Sequence, residues 1–216
     1  MENKMKSIAK LCFLSTLLLL TACVTGTRNV NLEIPAHSSS KTGAGAVQIV
    51  SITDSRVFEQ KPKSPNTPSA KADIATLSAE TKATMIGRQR NGYGGAMGDV
   101  ALPAGSTVQS EVKKLIATGL QNRGYVVSEN SENKLSIDIE KFWAWMVPGF
   151  ISVGFESEVT TALTLSNGTD TKTVKVAGVG NNEGQVASDA NWRLTYSRAF
   201  ENFLSNMDSA LEDLGL

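Results

Sequence analysis

The 216-residue chain is poor in the side chains that hold metal ions or form disulfide bonds. It has two cysteines, Cys12 and Cys23, and a single histidine, His37. A zinc site would have to be built from carboxylates almost alone, which is unusual. A Ser-His-Asp triad would depend on one histidine near the N-terminus. We therefore expect no metal centre, no Ser-His-Asp triad and no other catalytic residues.

Net charge and long apolar runs are also scarce. Basic and acidic side chains number 21 each, so the formal net charge is zero. Nucleic-acid-binding proteins usually carry a basic patch or stripe, and this balance argues against that class. After the apolar run at residues 11–20, no second stretch of about 20 apolar residues follows that would suggest a membrane-spanning helix.

The N-terminus has the organisation of a secretory signal. Lys4, Lys6 and Lys10 surround the start of the apolar run "LCFLSTLLLL". Ten residues rise about 15 Å as a helix, which is half of a roughly 30 Å hydrocarbon core. That length is too short for a membrane span and is typical of the apolar region of a signal peptide. We predict that residues 1–22 are a signal peptide.

The run Leu20-Thr21-Ala22-Cys23 resembles a bacterial lipobox. The resemblance implies cleavage before Cys23, diacylation of its sulfur and a third acyl chain, such as palmitate, on the new N-terminus. Two chains already suffice for a stable membrane anchor, since each buried CH₂ contributes about 0.8 kcal/mol. Val24, not an aspartate, follows the cysteine. By resemblance to enterobacterial lipoproteins, this implies the outer membrane.

Cleavage at this point defines the mature protein. Removing residues 1–22 takes away three lysines and one glutamate, which leaves 194 residues with 18 basic and 20 acidic side chains. Cys12 leaves with the signal and Cys23 is acylated, so we expect no disulfide bond, although the compartment permits one. A chain of this length forms one domain with a tail, or at most two small domains.

The mature chain divides into a tether and one folded domain. Residues 23–45 end in "HSSSKTGAG", a polar stretch that buries little, and we predict a lipidated N-terminus with a flexible tether there. Part of this tether, "VNLEIP", could lie along a sheet edge. Residues 46–216 are predicted to form a single domain. Within it, residues 54–105 form a long excursion rich in proline and glycine, which is either functional or mobile.

Apolar periodicity predicts an α+β fold in the order β-α-β-β-β-α. We expect an antiparallel sheet of about four strands with two helices packed on one face. Ser106 and Gln109 suggest a capping box at the start of the first helix, and Gly119 suggests a close approach of that helix to the sheet. The predicted elements are a strand at 46–53, a helix from Ser106, strands at 134–147, 151–165 and 174–179 joined by an Asn167-Gly168 turn, and a helix from Ser188.

Several of these segments together resemble the YajG-type bacterial lipoproteins. The similar features are the lipobox, the strand "VQIVSITDSR", the helix end "LQNRGYVV", the strand "LSIDIEKFW", the Asn-Gly hairpin and the C-terminal amphipathic helix. The resemblance implies an outer-membrane lipoprotein that faces the periplasm, with no established enzyme activity. The segments at residues 59–69 and 86–100 are longer than we expect in the shortest members of this family.

The stretch "RQRNGYGGAMGD" at residues 88–99 is glycine-rich and carries two arginines. It lacks the strand before it and the helix after it that a dinucleotide fingerprint requires, so we expect no nucleotide and no cofactor. One interpretation is a mobile or partner-docking loop with Tyr93 at its centre. Another is that Arg88 and Arg90 bind an anionic group such as a glycan carboxylate.

Aromatic residues cluster around the Pro148-Gly149 turn. Because neighbouring residues of a strand point to opposite faces, at least one aromatic side chain should leave the helix-covered side of the sheet. Trp143, Trp145 and Phe150 are therefore candidates for a partner surface or a contact with the membrane interface. Alternatively, the tether or the excursion covers that face.

Charged residues on the strands fit structural roles. Asp54 and Arg56 follow the first predicted strand and either pair to fix the start of the excursion or present a binding surface. Asp138 with Glu140, and Glu156 with Glu158, lie two residues apart, a spacing typical of a solvated sheet face.

Taken together, the sequence predicts a lipid-anchored protein without enzyme activity. Its expected role is that of an accessory or binding subunit of an envelope complex, with an envelope protein or peptidoglycan as partner and no nucleic acid or nucleotide. The alternative is an envelope enzyme or carrier that acts on glycan or lipid. Self-assembly through an unpaired strand edge is a third possibility.

Overall fold

The computed structural model describes residues 26–91, 93–149, 151–168 and 170–216. Three of the sequence predictions concern residues outside this set: the signal peptide at 1–22, the acylated Cys23 and the aromatic Phe150. In the described residues, no helix is both long and apolar enough to cross a membrane.

The described residues form a mixed α+β fold with eight strands and three helices. The strands are β1 (Arg28–Asn29), β2 (Gly45–Asp54), β3 (Met85–Arg90), β4 (Ala96–Ala101), β5 (Tyr125–Val127), β6 (Lys134–Pro148), β7 (Val153–Ser166) and β8 (Thr171–Gly184). The helices are α1 (Ala79–Thr84), α2 (Val108–Asn122) and α3 (Asp189–Leu214).

Three long antiparallel strands form the spine of the sheet. β6 pairs with β7 over its whole length, and β7 pairs with β8. The predicted Asn167-Gly168 turn joins β7 to β8, and Gly168 has a φ of +91°, a conformation that glycine adopts without the Cβ penalty. The meander expected from the sequence is therefore confirmed.

The other edge of β6 is shared by two shorter strands that both run parallel to it. β2 pairs with its first half and β3 with its second half. β5 extends the sheet beyond β2, while β4 and β1 extend it beyond β3. The prediction of about four antiparallel strands was thus wrong in number and pairing. It missed β3 and β4 because their arginines and glycines lack a clear apolar alternation.

The two long helices cover one face of the sheet, as predicted. α3 lies very close to β8, since a Cβ added to Gly180 would fall 2.0 Å from the carbonyl oxygen of Thr195. Gly119 of α2 also permits a close approach, but to α3: an added Cβ would lie 2.5 Å from Sδ of Met207. The expected role of Gly119 against the sheet was therefore wrong, because the helices pack on each other at that point.

The helix ends follow the sequence only in part. Ser188 caps α3 as predicted, accepting a hydrogen bond from the backbone N–H of Asn191. The capping box of α2 is formed by Thr107 and Ser110, one residue later than the Ser106 and Gln109 predicted. The difference arises because either hydroxyl can start a helix, and only the chain direction after the preceding turn selects between them.

A bulge in β6 creates a second apolar face. The pairing with β7 shifts at Glu140, so the residues that face the helices change from odd to even numbers along the strand. Ile137 and Ile139 before the bulge, and Phe142 after it, all belong to the main core beneath the helices. The strand residues between these even positions, Trp143 among them, therefore face the opposite side of the sheet.

The segment predicted as a flexible tether is packed on the domain. Val30 is fully buried and Leu32 nearly so, and both belong to the main core. Arg28 forms an ion pair with Asp189 at the start of α3. This prediction failed because a short apolar alternation, "VNLEIP", was given less weight than the polar residues after it.

Candidate functional site

The excursion begins at a buried ion pair between Asp54 and Arg56. Nε and Nη2 of Arg56 each lie 2.8 Å from a different carboxylate oxygen of Asp54. The remaining donors reach the carbonyl oxygens of Lys82, Met85 and Phe142, at 2.8, 2.6 and 3.1 Å. All five N–H donors of the guanidinium are therefore used. Of the two roles considered for Asp54 and Arg56, the structure shows the ion pair that fixes the excursion.

Beyond this pair, the excursion folds over the second apolar face of the sheet. Trp143 is fully buried, and its Nε1 donates to the carbonyl oxygen of Pro65 at 3.3 Å. Phe58 packs edge-on against the Trp143 ring, with ring centroids 5.9 Å apart. The second core contains Ala70, Met85, Trp143 and Trp145, with Phe58, Ile74 and Leu77 packed against it.

Trp143 and Trp145 therefore do not form an open partner surface. Trp145 is 8% exposed and lies beneath the same segment. Of the two interpretations offered for these rings, the structure shows the one in which the excursion covers them. The sequence did not reveal this cover because residues 59–69, with three prolines, give no periodic signal that they will fold onto a sheet.

Within the excursion, a cavity of about 350 Å³ opens between residues 60–71 and β3. We call it the arginine pocket because the two arginines predicted to bind an anion both line it. Its lining residues are Gln60, Lys61, Pro62, Ser69, Ala70, Lys71, Arg88, Arg90 and Ala96.

Arg88 is the most buried cation of the arginine pocket, at 6% exposure. Nη1 of Arg88 lies 3.1 Å from Oδ1 of Asp99 on the neighbouring strand β4. This contact is an ion pair and lacks the geometry of a hydrogen bond. Nε and Nη1 of Arg88 are therefore both buried without a hydrogen-bond acceptor among the described residues. The Asp99 carboxylate instead accepts the backbone N–H of Lys71, at 3.0 and 3.3 Å from its two oxygens.

Arg90 stands two residues further along β3 and brings a second positive charge to the pocket. Nη1 of Arg90 donates to the carbonyl oxygen of Gly94, 2.9 Å away, while its Nε has no acceptor among the described residues. Tyr93, the third predicted site residue of this stretch, is fully exposed in the turn between β3 and β4 and does not line the pocket.

Burial and like charge both act on these groups. Burial lowers the pKa of Arg88, and the negative charge of Asp99 opposes that effect. The pKa of Arg90 is also lowered, first by burial and then by the positive charge of Arg88. Burial raises the pKa of Asp99, although Arg88 and the Lys71 N–H act in the opposite direction. A second anion in the pocket would relieve the repulsion between the arginines and satisfy their unused donors.

Residues from the excursion complete the pocket, and the sequence predictions missed them. Lys61 and Lys71 are among its lining residues, and Ser69 is buried there. Lys61 also has a φ of +53°, in a region that residues with a Cβ seldom adopt. The lysines of "KPKSP", residues 61–65, indicate a basic segment in the sequence. No pattern in the neighbouring residues indicates that this segment folds beside β3.

The acidic residues of the sheet surface have partners of their own. Glu140 pairs with Lys175 at 2.6 Å, and Glu158 pairs with Lys141 at 2.8 Å. Asp138 accepts a hydrogen bond from Ser55. Across the described part of the chain, no group of three His, Cys, Asp or Glu side chains could hold a metal ion.

Comparison with known families identifies the chain as a lipoprotein. Residues 82–207, more than half of the chain, match the model of the family Lipoprotein_16, described as an uncharacterised lipoprotein. The chain belongs to this family, which confirms the resemblance to YajG-type lipoproteins. The match includes β3 and β4 with both arginines, whereas β2 and most of the excursion lie before it.

Solved structures show only distant likeness. A DUF330-family protein from Xanthomonas campestris is 12% identical, with a TM-score of 0.43 over 88% of this chain and 99% of that one. An uncharacterised protein is 10% identical, with a TM-score of 0.39 over 87% and 99%. A Helicobacter pylori protein described as a neuraminyllactose-binding hemagglutinin homolog is 9% identical, with a TM-score of 0.38 over 85% and 91%. No curated protein matches the chain.

Proposed function

We propose that this lipoprotein is a non-catalytic binding subunit of the cell envelope, anchored through Cys23 in the outer membrane and facing the periplasm. Its arginine pocket receives an anionic group, a carboxylate of a glycan or peptide, presented by an envelope partner or by peptidoglycan. The observation that supports this proposal is Arg88, which lines the cavity and whose buried Nε and Nη1 have no hydrogen-bond acceptor among the described residues.

The charges around the cavity favour an anion over a neutral ligand. Arg88, Arg90, Lys61 and Lys71 line it, while no carboxylate is among the described lining residues. Asp99 stands behind Arg88 and also accepts the Lys71 N–H. The planar guanidinium fork matches the two oxygens of a carboxylate, and such charge-assisted bonds are roughly twice as strong as neutral ones.

The anchor has independent support. The lipobox ends at Cys23, and the chain belongs to a lipoprotein family. An acylated cysteine would attach the protein without a membrane-spanning helix, and it would place the arginine pocket within reach of other envelope components.

The binding proposal is tested with two sugars that differ by one lactyl ether, the group that carries the carboxylate. N-acetylmuramic acid carries a lactyl carboxylate that N-acetylglucosamine lacks. We expect the mature protein to bind the acid in a calorimetric or NMR titration, and Arg88→Gln to weaken that binding at least about tenfold, since a bond to a charged group contributes roughly 1.5–3 kcal/mol.

The exposed Arg193 on α3 supplies a charge-matched control, because Arg193→Gln removes the same charge away from the pocket. Near-ultraviolet circular dichroism establishes that each variant is folded. Equal affinity for the two sugars, or equal loss in Arg88→Gln and Arg193→Gln, would contradict a carboxylate site at Arg88.

The alternative function, an envelope enzyme or carrier acting on glycan or lipid, has one feature in its favour. An open groove of about 620 Å³, where β7 begins and β8 ends, contains Glu156, Glu183 and Arg198. Two carboxylates are the usual equipment of a glycoside hydrolase. If the protein is an enzyme, the natural chain should cleave glycan and Glu156→Gln should abolish that cleavage. The binding proposal predicts no cleavage by the natural chain or by the variant.

A further inference from the structure

Three connections of the fold meet at one end of the sheet, and we call this end the tip edge. Its described residues are Asn91, 93–95, Gly149, 151–152 and 185–188. β3 and β6 run parallel with Arg88 beside Trp145, so both strands finish at the same level. β7 starts and β8 finishes there as well, because Val153 pairs with Pro148 on one side and with Gly184 on the other.

The tip edge is uncharged and partly apolar. None of the residues in its three segments carries a formal charge. Tyr93 is 100% exposed, Ile151 is 84% exposed and Val186 is 66% exposed. Each of the three connections at this end of the sheet thus exposes one large apolar side chain, and an uncharged end with such side chains suits the interface of a membrane.

The N-terminal chain leaves the domain toward this same end. β1 runs parallel to β4 with Arg28 opposite Val100, so the chain before Arg28 heads toward Ala96 and the turn that precedes it. Two contacts fix this course: the carbonyl oxygen of Gly26 accepts a hydrogen bond from Nε2 of Gln89 at 3.3 Å, and Arg28 pairs with an aspartate at the start of α3.

The remaining length of chain is short. From Gly26 back to Cys23 there are three Cα–Cα steps of 3.8 Å, so these residues span at most about 11 Å. The headgroup layer on each side of a bilayer is itself about 5–8 Å thick. A lipid anchor at Cys23 therefore holds the tip edge at the level of the headgroups.

We propose that the tip edge rests on the membrane in which the protein is anchored, with Tyr93 and Ile151 in the interface. The proposal rests on the lipid anchor proposed above. Its partner is the neutral part of the lipid surface, since the tip edge lacks the basic cluster that would select anionic headgroups. The three long strands then stand away from the bilayer, and the arginine pocket, which begins at Arg90, lies near its surface.

The geometry gives a sharp contrast between the two ends of the sheet. β7 has 14 residues, so the turn at Asn167 stands roughly 45 Å from the tip edge. A probe at Tyr93 and a probe at Asn167 should therefore differ strongly in their distance from lipid.

The test uses the full acylated protein in vesicles of phosphatidylethanolamine and phosphatidylglycerol that contain a headgroup-nitroxide lipid. Tyr93→Cys and Asn167→Cys are each labelled with a fluorophore, and the acylated Cys23 offers no competing thiol. Both sites are exposed turn residues, so neither change disturbs the core. We expect several-fold stronger quenching at position 93 than at position 167.

Equal quenching at the two positions would overturn the proposal, because the domain would then swing freely or turn another surface to the lipid. Vesicle flotation and intact mass separate this outcome from failure of the anchor. Protein that is acylated and floats with vesicles, but shows equal quenching, contradicts the tip-edge contact alone. Protein that is neither acylated nor bound contradicts the proposed function as well.

Discussion

Asp54 and Arg56 form a two-pronged ion pair across a single intervening residue, with Nε and Nη2 of Arg56 each 2.8 Å from a carboxylate oxygen. The same guanidinium reaches three backbone carbonyls, which belong to α1, β3 and β6 or their boundaries. One side chain thus connects the start of the excursion to α1 and β3 within it and to β6 beneath it.

Removing this side chain should therefore destabilise the domain strongly. Arg56→Met leaves Asp54 and three carbonyls without their shared donor, and we expect the free energy of unfolding to fall by about 3–5 kcal/mol. Urea denaturation of the mature chain carrying Cys23→Ser measures it. Lys175→Met serves as the control, because its pair with Glu140 is mostly exposed and should contribute no more than about 1 kcal/mol. Similar losses in the two variants would contradict the structural role of Arg56.

The second core should hold the excursion in place. Trp143→Ala removes a fully buried indole and its bond to Pro65, with an expected cost of about 3–5 kcal/mol. The loosened excursion should also become a substrate for trypsin at Lys63 and Lys71, which mass spectrometry of the fragments detects. Tyr93→Ala removes a fully exposed ring and should change neither quantity. Unchanged cleavage in Trp143→Ala would show that the excursion does not depend on this core.

The contact between α3 and β8 requires glycine at position 180. Gly180→Ala places a Cβ 2.0 Å from the carbonyl oxygen of Thr195, so the helix must move away from the sheet. Overpacking of this kind typically costs about 1–3 kcal/mol, which thermal or urea unfolding measures. The matched change is Gly154→Ala, where the nearest atom lies 3.4 Å away. If both variants are as stable as the natural chain, the helix is not packed as closely as the structure shows.

Asp99 gives the stability of the protein a dependence on pH. Burial raises its pKa above the ordinary 3.8, so the folded state binds this proton more tightly than the unfolded state. The contribution of Asp99 to stability is therefore fully present below pH 3.8 and is lost as the pH rises through the raised pKa. The stability of the natural chain relative to Asp99→Asn should increase as the pH falls through this window. A decrease would mean that the attraction of Arg88 outweighs burial and holds the pKa down.

The sequence predicted well those elements whose signals are local. The amphipathic pattern of α3, its Ser188 cap and the Asn167-Gly168 turn depend on residues close together in the chain, and all three are confirmed. The parallel pairing of β2 and β3 with β6 depends on contacts between distant residues, and no local pattern specifies it. The bulge at Glu140 likewise appears in the sequence only as a break in alternation.

The candidate site was predicted in part for the same reason. Arg88 and Arg90 were identified by residue type within one stretch, and both line the pocket. Lys61 and Lys71 join them only because the excursion folds back over the sheet, which the sequence did not show. Trp143 and Trp145 were placed on a possible partner surface, and the same folding of the excursion buries them.

We propose that lipid on Cys23 anchors this domain to the envelope. The intact mass of protein extracted from membranes is the most direct test of this anchor. We expect a chain that begins at residue 23 and carries a diacylglyceryl group and a further acyl chain, while Cys23→Ser accumulates as an unacylated precursor. An unmodified chain that begins at Met1, or normal maturation of the serine variant, would contradict the account.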